Sequence, residues 1–133
     1  MFLLYNFRWW CYNFIIAGHF YINSTAHSTH TLRALNFDIE KGEIIKLESV
    51  VTDYEQLSNL ILKQIEETSE DIHAFIVKAF PDGLEDRLKE IDLENSLYSD
   101  SFNIDEKGIT LNFEVPYSMG GYVSIFIAFH DLK

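Results

Sequence analysis

A single cysteine, Cys11, is all the thiol chemistry this chain has, which excludes an intramolecular disulfide and a site built from paired thiolates. The fold therefore has to hold by packing. Cys11 stands between Trp10 and Tyr12 in an apolar stretch, the setting of an inert thiol rather than a reactive one. Positive charge is scarce too: ten Lys and Arg against 21 Asp and Glu leave a net charge of −11 in 133 residues. A phosphate backbone is bound by clustered Lys and Arg, so this balance argues against a nucleic-acid partner and fits a cationic one or a plain solubility role. Internal repeats, heptad runs and low-complexity tracts are missing. So is a glycine-rich phosphate loop, because Gly120-Gly121 is not followed by Lys and Ser or Thr.

Negative charge is itself absent from the first part of the chain. No Asp or Glu precedes Asp38, whereas residues 53–105 are studded with carboxylates, so the two parts must face different surroundings. With 47% hydrophobic and 15% aromatic residues, the chain is too apolar to be a disordered acidic tail and long enough for one core. Residues 1–17 are apolar enough to compare with a signal peptide or membrane anchor. Arg8 in mid-run, with Asn6 and Asn13 on either side, fits neither well, since a central Arg costs about 2.5–3.5 kcal/mol on insertion. Phe, Tyr, Trp and Ile are strand formers, so residues 1–13 are expected as one or two strands or a divergent anchor. Residues 14–133 are expected as a single domain.

Residues 14–21 read as a strand ending at the turn formers Asn23, Ser24 and Thr25, with a loop from Ala26 to His30. Leu35, Phe37 and Ile39 alternate with polar neighbours, residues 40–43 supply a glycine-containing turn, and Ile45 and Leu47 resume the alternation, predicting a hairpin. Thr52 and Glu55 have the spacing of a capping box and place a helix start there. Leu57, Leu60, Ile61 and Ile65 continue at helical spacing. Ile72, Phe75, Ile76 and Ala79 repeat it until Pro81. Asp82 and Glu85 are expected to cap a third piece carrying Leu84, Leu88 and Ile91. Phe102 and Ile104 lead into a turn over residues 105–108, and Ile109, Leu111, Phe113 and Val115 lead out, giving the clearest hairpin in the chain. After a loop over residues 116–121, Val123, Ile125, Ile127 and Phe129 make the last strand. Strands, then helices, then strands predict an α+β fold: a mostly antiparallel sheet with two or three helices between its N-terminal and C-terminal strands, packed on one face.

Tyr21, the run from Asn23 to Ser28 and the run from Leu35 to Leu47, together with Phe113, Glu114, Val115, Pro116, Tyr117, Ser118, Met119, Gly120 and Gly121, resemble a particular domain of unknown function. It is the C-terminal extracytoplasmic domain of RsiV-type lysozyme-sensing anti-sigma factors, found also beside the catalytic domain of some peptidoglycan deacetylases. The family pattern is a Gly-Gly-Ala-His-Gly-like turn, an Asn-Phe-Asp-type strand and, later, a strand ending in a Pro-Tyr loop with glycine. Here Ser24, Thr25 and Ser28 stand where that turn has glycines, which puts its geometry in doubt. The resemblance implies an α+β fold, work at the cell envelope and a basic, lysozyme-like protein or another envelope domain as partner.

His27 and His30, with Asp38 beyond, form the one grouping in which a metal is worth weighing; in a Ser/Thr-rich loop such histidines are more often solvated or close the turn. His73 near Asp71 and His130 near Asp131 lack an identifiable nucleophile. No catalytic residue, metal or cofactor is assigned. The candidate binding residues are His27, His30, Tyr117, Met119, Gly120 and Gly121, the last four in what reads as a flexible rim loop. The carboxylates over residues 66–94 read as a solvated helix face or as the footprint of a basic protein. The competing function is an accessory or degenerate fragment of an envelope hydrolase with His27, His30 and Asp38 as its site.

Overall fold

The computed structural model describes residues 2–7, 11–20, 29–79, 83–93 and 100–132. It is α+β: three helices, α1 (Tyr54–Thr68), α2 (Glu70–Ala79) and α3 (Leu84–Glu90), stand between two groups of strands. The strands before them, β1 (Phe2–Phe7), β2 (Cys11–Phe20), β3 (Thr29–Asp38) and β4 (Glu43–Ile44), form a four-stranded sheet in that order. The strands after them, β5 (Ser101–Ile104), β6 (Gly108–Glu114) and β7 (Tyr122–Ala128), form a three-stranded sheet. All described pairings are antiparallel. One continuous sheet is thus replaced by two, and the helices cover one face of the second.

Alternation decides that face. Phe102, Ile104, Ile109, Leu111, Phe113, Ile125 and Ile127 are buried and point to the helices, where Leu57, Ile61, Ile65, Ile76, Leu84 and Leu88 meet them. Burying this apolar layer, at roughly 25 cal/mol per Å², is the main favourable term of the fold. The opposite face is polar over β5 and β6 and exposed at Ser124 and Phe126 of β7. Asn112 is buried there, its amide donating to Asn103 Oδ1 (3.2 Å) and Ser101 Oγ (3.4 Å) while Ser124 Oγ donates to Asn112 Oδ1 (2.7 Å). Such a network is stable inside because its members are satisfied. Gly108 sits where β6 and β7 come closest: a Cβ there would lie 2.2 Å from the Ile127 carbonyl oxygen, so only glycine permits the ladder at this point.

Local details depart from the sequence reading in ways that have physical causes. The N-cap of α1 is Asp53, whose carboxylate accepts from the Gln56 N–H at 3.0 Å, one residue later than the Thr52 capping box. The arm after the 40–43 turn is only two residues long. Instead of continuing as a strand, the chain winds into a 3-10 turn over Leu47–Ser49, because the distant Asp92 carboxylate accepts from the N–H groups of Leu47 (2.6 Å) and Glu48 (3.0 Å). α3 opens on Gly83 with no side-chain cap, and the expected cap Asp82 lies outside the described residues. Phe129 leaves the last strand to begin a short 3-10 turn. Residues 2–7 and 11–20 are strands. No helix among the described residues is long and apolar enough to cross a membrane.

Candidate functional site

The two sheets meet along β3 and β5, and among the described residues no backbone ladder joins them. In β5 the N–H and C=O groups of Phe102 and Ile104 point away from β6, since Asp105 N–H bonds to the Gly108 carbonyl on the other side. Asn36 of β3 meets them. Its Nδ2 donates to the Phe102 carbonyl (2.8 Å) and its Oδ1 accepts from the Ile104 N–H (3.0 Å). A carboxamide carries one donor and one acceptor side by side, as a peptide group does, so one buried side chain stands in for a strand. Beside it, Ser101 Oγ accepts from the Ala34 N–H at 3.0 Å. The remaining anchor is ionic. Arg87 of α3 holds Asp100 through two hydrogen bonds, from Nε to Oδ2 and from Nη2 to Oδ1 (2.7 Å), and Nη2 also donates to the Glu114 carbonyl (2.8 Å). Asp100 in turn accepts from the Glu114 N–H (2.8 Å), and the guanidinium lies 5.7 Å from the centre of the Phe113 ring. Both charges are buried, so neither tolerates loss of the other.

Above this seam opens a cleft of about 260 Å³. Asn36, Asp100 and Ser101 contribute to its polar wall, and Lys46 and Asp92 to its charged one. Its rim is apolar: Leu35 is 42% exposed, Ile44 55% and Leu93 59%. These are three of the five large hydrophobic side chains exposed among the described residues, and gathered apolar exposure of this kind marks contact surfaces where scattered exposure does not. Tyr54 stands close to Asp92 and Glu48; burial first, then those two carboxylates, push its phenol above its ordinary 10.0.

The residues singled out from the sequence fall in two places. Tyr117 and Met119 bound a 3-10 turn between β6 and β7, followed by Gly120 (φ 103°) and Gly121 (φ 87°), both in the region that favours glycine. The connection is not a loose rim. Met119 and Gly121 N–H groups donate to the Pro116 carbonyl (2.8 and 3.2 Å), and Val115 N–H donates to Gly121 O (3.1 Å), closing it on itself. It begins next to Glu114, so Asp100 links it to the cleft. His30 lies in β3, opposite His19 in register, while His27 is outside the described residues. Asp38 is at the other end of β3, eight residues or roughly 26 Å from His30 at strand spacing. Its Oδ1 accepts from the Glu40 and Lys41 N–H groups (2.9 and 3.1 Å), a turn-closing role. His30 and Asp38 therefore do not share a metal. Among the described residues no three His, Cys, Asp or Glu side chains cluster as ligands.

Sequence reasoning missed Asn36, Arg87, Asp92 and Asp100. Each acts on a partner at least 13 residues away, and such contacts leave no periodic signal. The His19 and His30 register pair is equally silent in the sequence. No family model matches the chain, and no curated protein matches it.

Proposed function

We propose that this chain is a non-catalytic binding or sensing domain, associated with the cell envelope, that takes a cationic protein such as a lysozyme. The observation that carries the reading is the cleft at the seam: Leu35, Ile44 and Leu93 are exposed together on a molecule whose net charge is −11. An apolar rim on a molecule of strongly negative net charge suits a partner of the converse kind, an apolar residue on a surface rich in Lys or Arg. The helix layer adds to the field, since Glu66, Glu67, Glu70 and Asp71 are all exposed within six residues at the junction of α1 and α2. Carboxylates at the C-terminal end of α1 oppose its dipole, a cost that recognition of a cation offsets. The resemblance in residues 23–28, 35–47 and 113–121 supplies the partner class and the envelope setting.

The test is calorimetric titration of the purified chain with a basic lysozyme at low and at physiological salt. Saturable heat that weakens with salt is expected, and an Ile44→Lys variant, which removes the apolar contact and adds like charge to the partner's, should weaken it at both salts. No heat in either buffer would remove lysozyme as the partner.

A further inference from the structure

The three-stranded sheet has two outer edges, and among the described residues only one is closed. The β5 edge is met by the Asn36 amide. On β7 the odd-numbered residues face β6, as the bonds from the Phe129 N–H to the Lys107 carbonyl and from the Val115 N–H to the Gly121 carbonyl show. The N–H and C=O groups of Tyr122, Ser124, Phe126 and Ala128 therefore point outward, and among the described residues β7 pairs with β6 alone. Proteins usually protect such an edge with a short strand, a charge, a proline or a bulge. The sequence of β7, Tyr-Val-Ser-Ile-Phe-Ile-Ala, is seven residues long and has neither charge nor proline nor glycine, in a chain 23% charged.

We propose that β7 pairs antiparallel with β7 of a second copy of this chain about a two-fold axis through Ile125. In that register Tyr122 faces Ala128 and Phe126 faces Ser124, so each aromatic ring meets a small side chain, while Val123 faces Ile127 and Ile125 faces its own copy. The outward groups of residues 122, 124, 126 and 128 then fall in hydrogen-bonded pairs, as the alternation of an antiparallel ladder demands. Phe126, 39% exposed in the single chain, becomes covered. No charge meets a like charge across the join, which makes this strand the place where two chains of net charge −11 can approach. The contact is isologous and closes at two copies.

Sedimentation velocity of the full chain over a range of concentrations tests this, at low and at high salt. A discrete monomer–dimer equilibrium is expected, strengthened by salt because screening reduces the repulsion between the acidic copies. Phe126→Lys should weaken the dimer about tenfold or more, and Val77→Lys, at an exposed apolar residue on α2, should leave it unchanged. Phe126→Pro removes an outward N–H that β6 does not use and should abolish the dimer while the circular dichroism spectrum is retained. A chain that stays monomeric at every concentration would overturn the proposal. So would open-ended polymers, or a dimer that survives both Phe126 substitutions in folded protein.

Discussion

The β5 and β7 edges of the three-stranded sheet differ in how their backbone groups are satisfied. Along β5 a single carboxamide, Asn36, takes one acceptor and one donor and thereby attaches the four-stranded sheet. Along β7 the corresponding groups have no partner among the described residues. The contrast teaches that a sheet edge need not be extended by a strand to be closed, and that an edge left open in an otherwise well-satisfied fold is available for association.

The strongest way to break the closed side is to remove its ionic anchor. Asp100→Ala leaves Arg87 buried without its carboxylate and should destabilise the chain by about 3–5 kcal/mol, measured by urea unfolding. Asn36→Ala removes the seam itself. It leaves the Phe102 carbonyl and the Ile104 N–H unsatisfied in the interior, at a cost of about 3 kcal/mol, and the melting temperature should fall accordingly. Phe126→Thr on the open side keeps a strand former at an exposed position and should change the stability of the monomer by less than about 0.5 kcal/mol. Equal losses at Asn36 and Phe126 would mean that the two edges are not different after all.

A smaller effect concerns Tyr54, which feels the Asp92 carboxylate of the cleft wall. Because the Tyr54 phenol is held above its ordinary 10.0 in the folded chain, the folded state binds its proton more tightly than the unfolded state does. The stability this confers is complete below pH 10 and is lost as pH rises through the folded-state value. Base titration followed by circular dichroism should show the loss, and Tyr54→Phe should flatten it.

Much of the fold was legible before the structure. The β5–β6 hairpin announces itself by alternation on both sides of a turn whose Asp105 carboxylate accepts from the Lys107 and Gly108 N–H groups, a purely local device. The helices follow from the spacing of Leu57, Ile61, Ile65 and Ile76, which the core requires. The division into two sheets was not legible, because it depends on Asn36 reaching residues 66 and 68 positions away. The brevity of β4 depends likewise on Asp92, 45 residues from Leu47. Alternation reports which face of a strand is buried, but not what closes its edge. The candidate site was less legible still. The Pro-Tyr-Gly connection was visible from its residues, yet the cleft beside it is assembled from β3, β4, the end of α3 and β5.

Amide hydrogen exchange in dilute protein compares the two edges in one measurement. The Ile104 N–H, bound to Asn36 Oδ1, should exchange as slowly as core amides such as that of Leu111, whereas the outward N–H groups of Ser124 and Phe126 should exchange orders of magnitude faster and slow as the chain is concentrated. Similar rates at Ile104 and Phe126 in dilute solution would contradict the account.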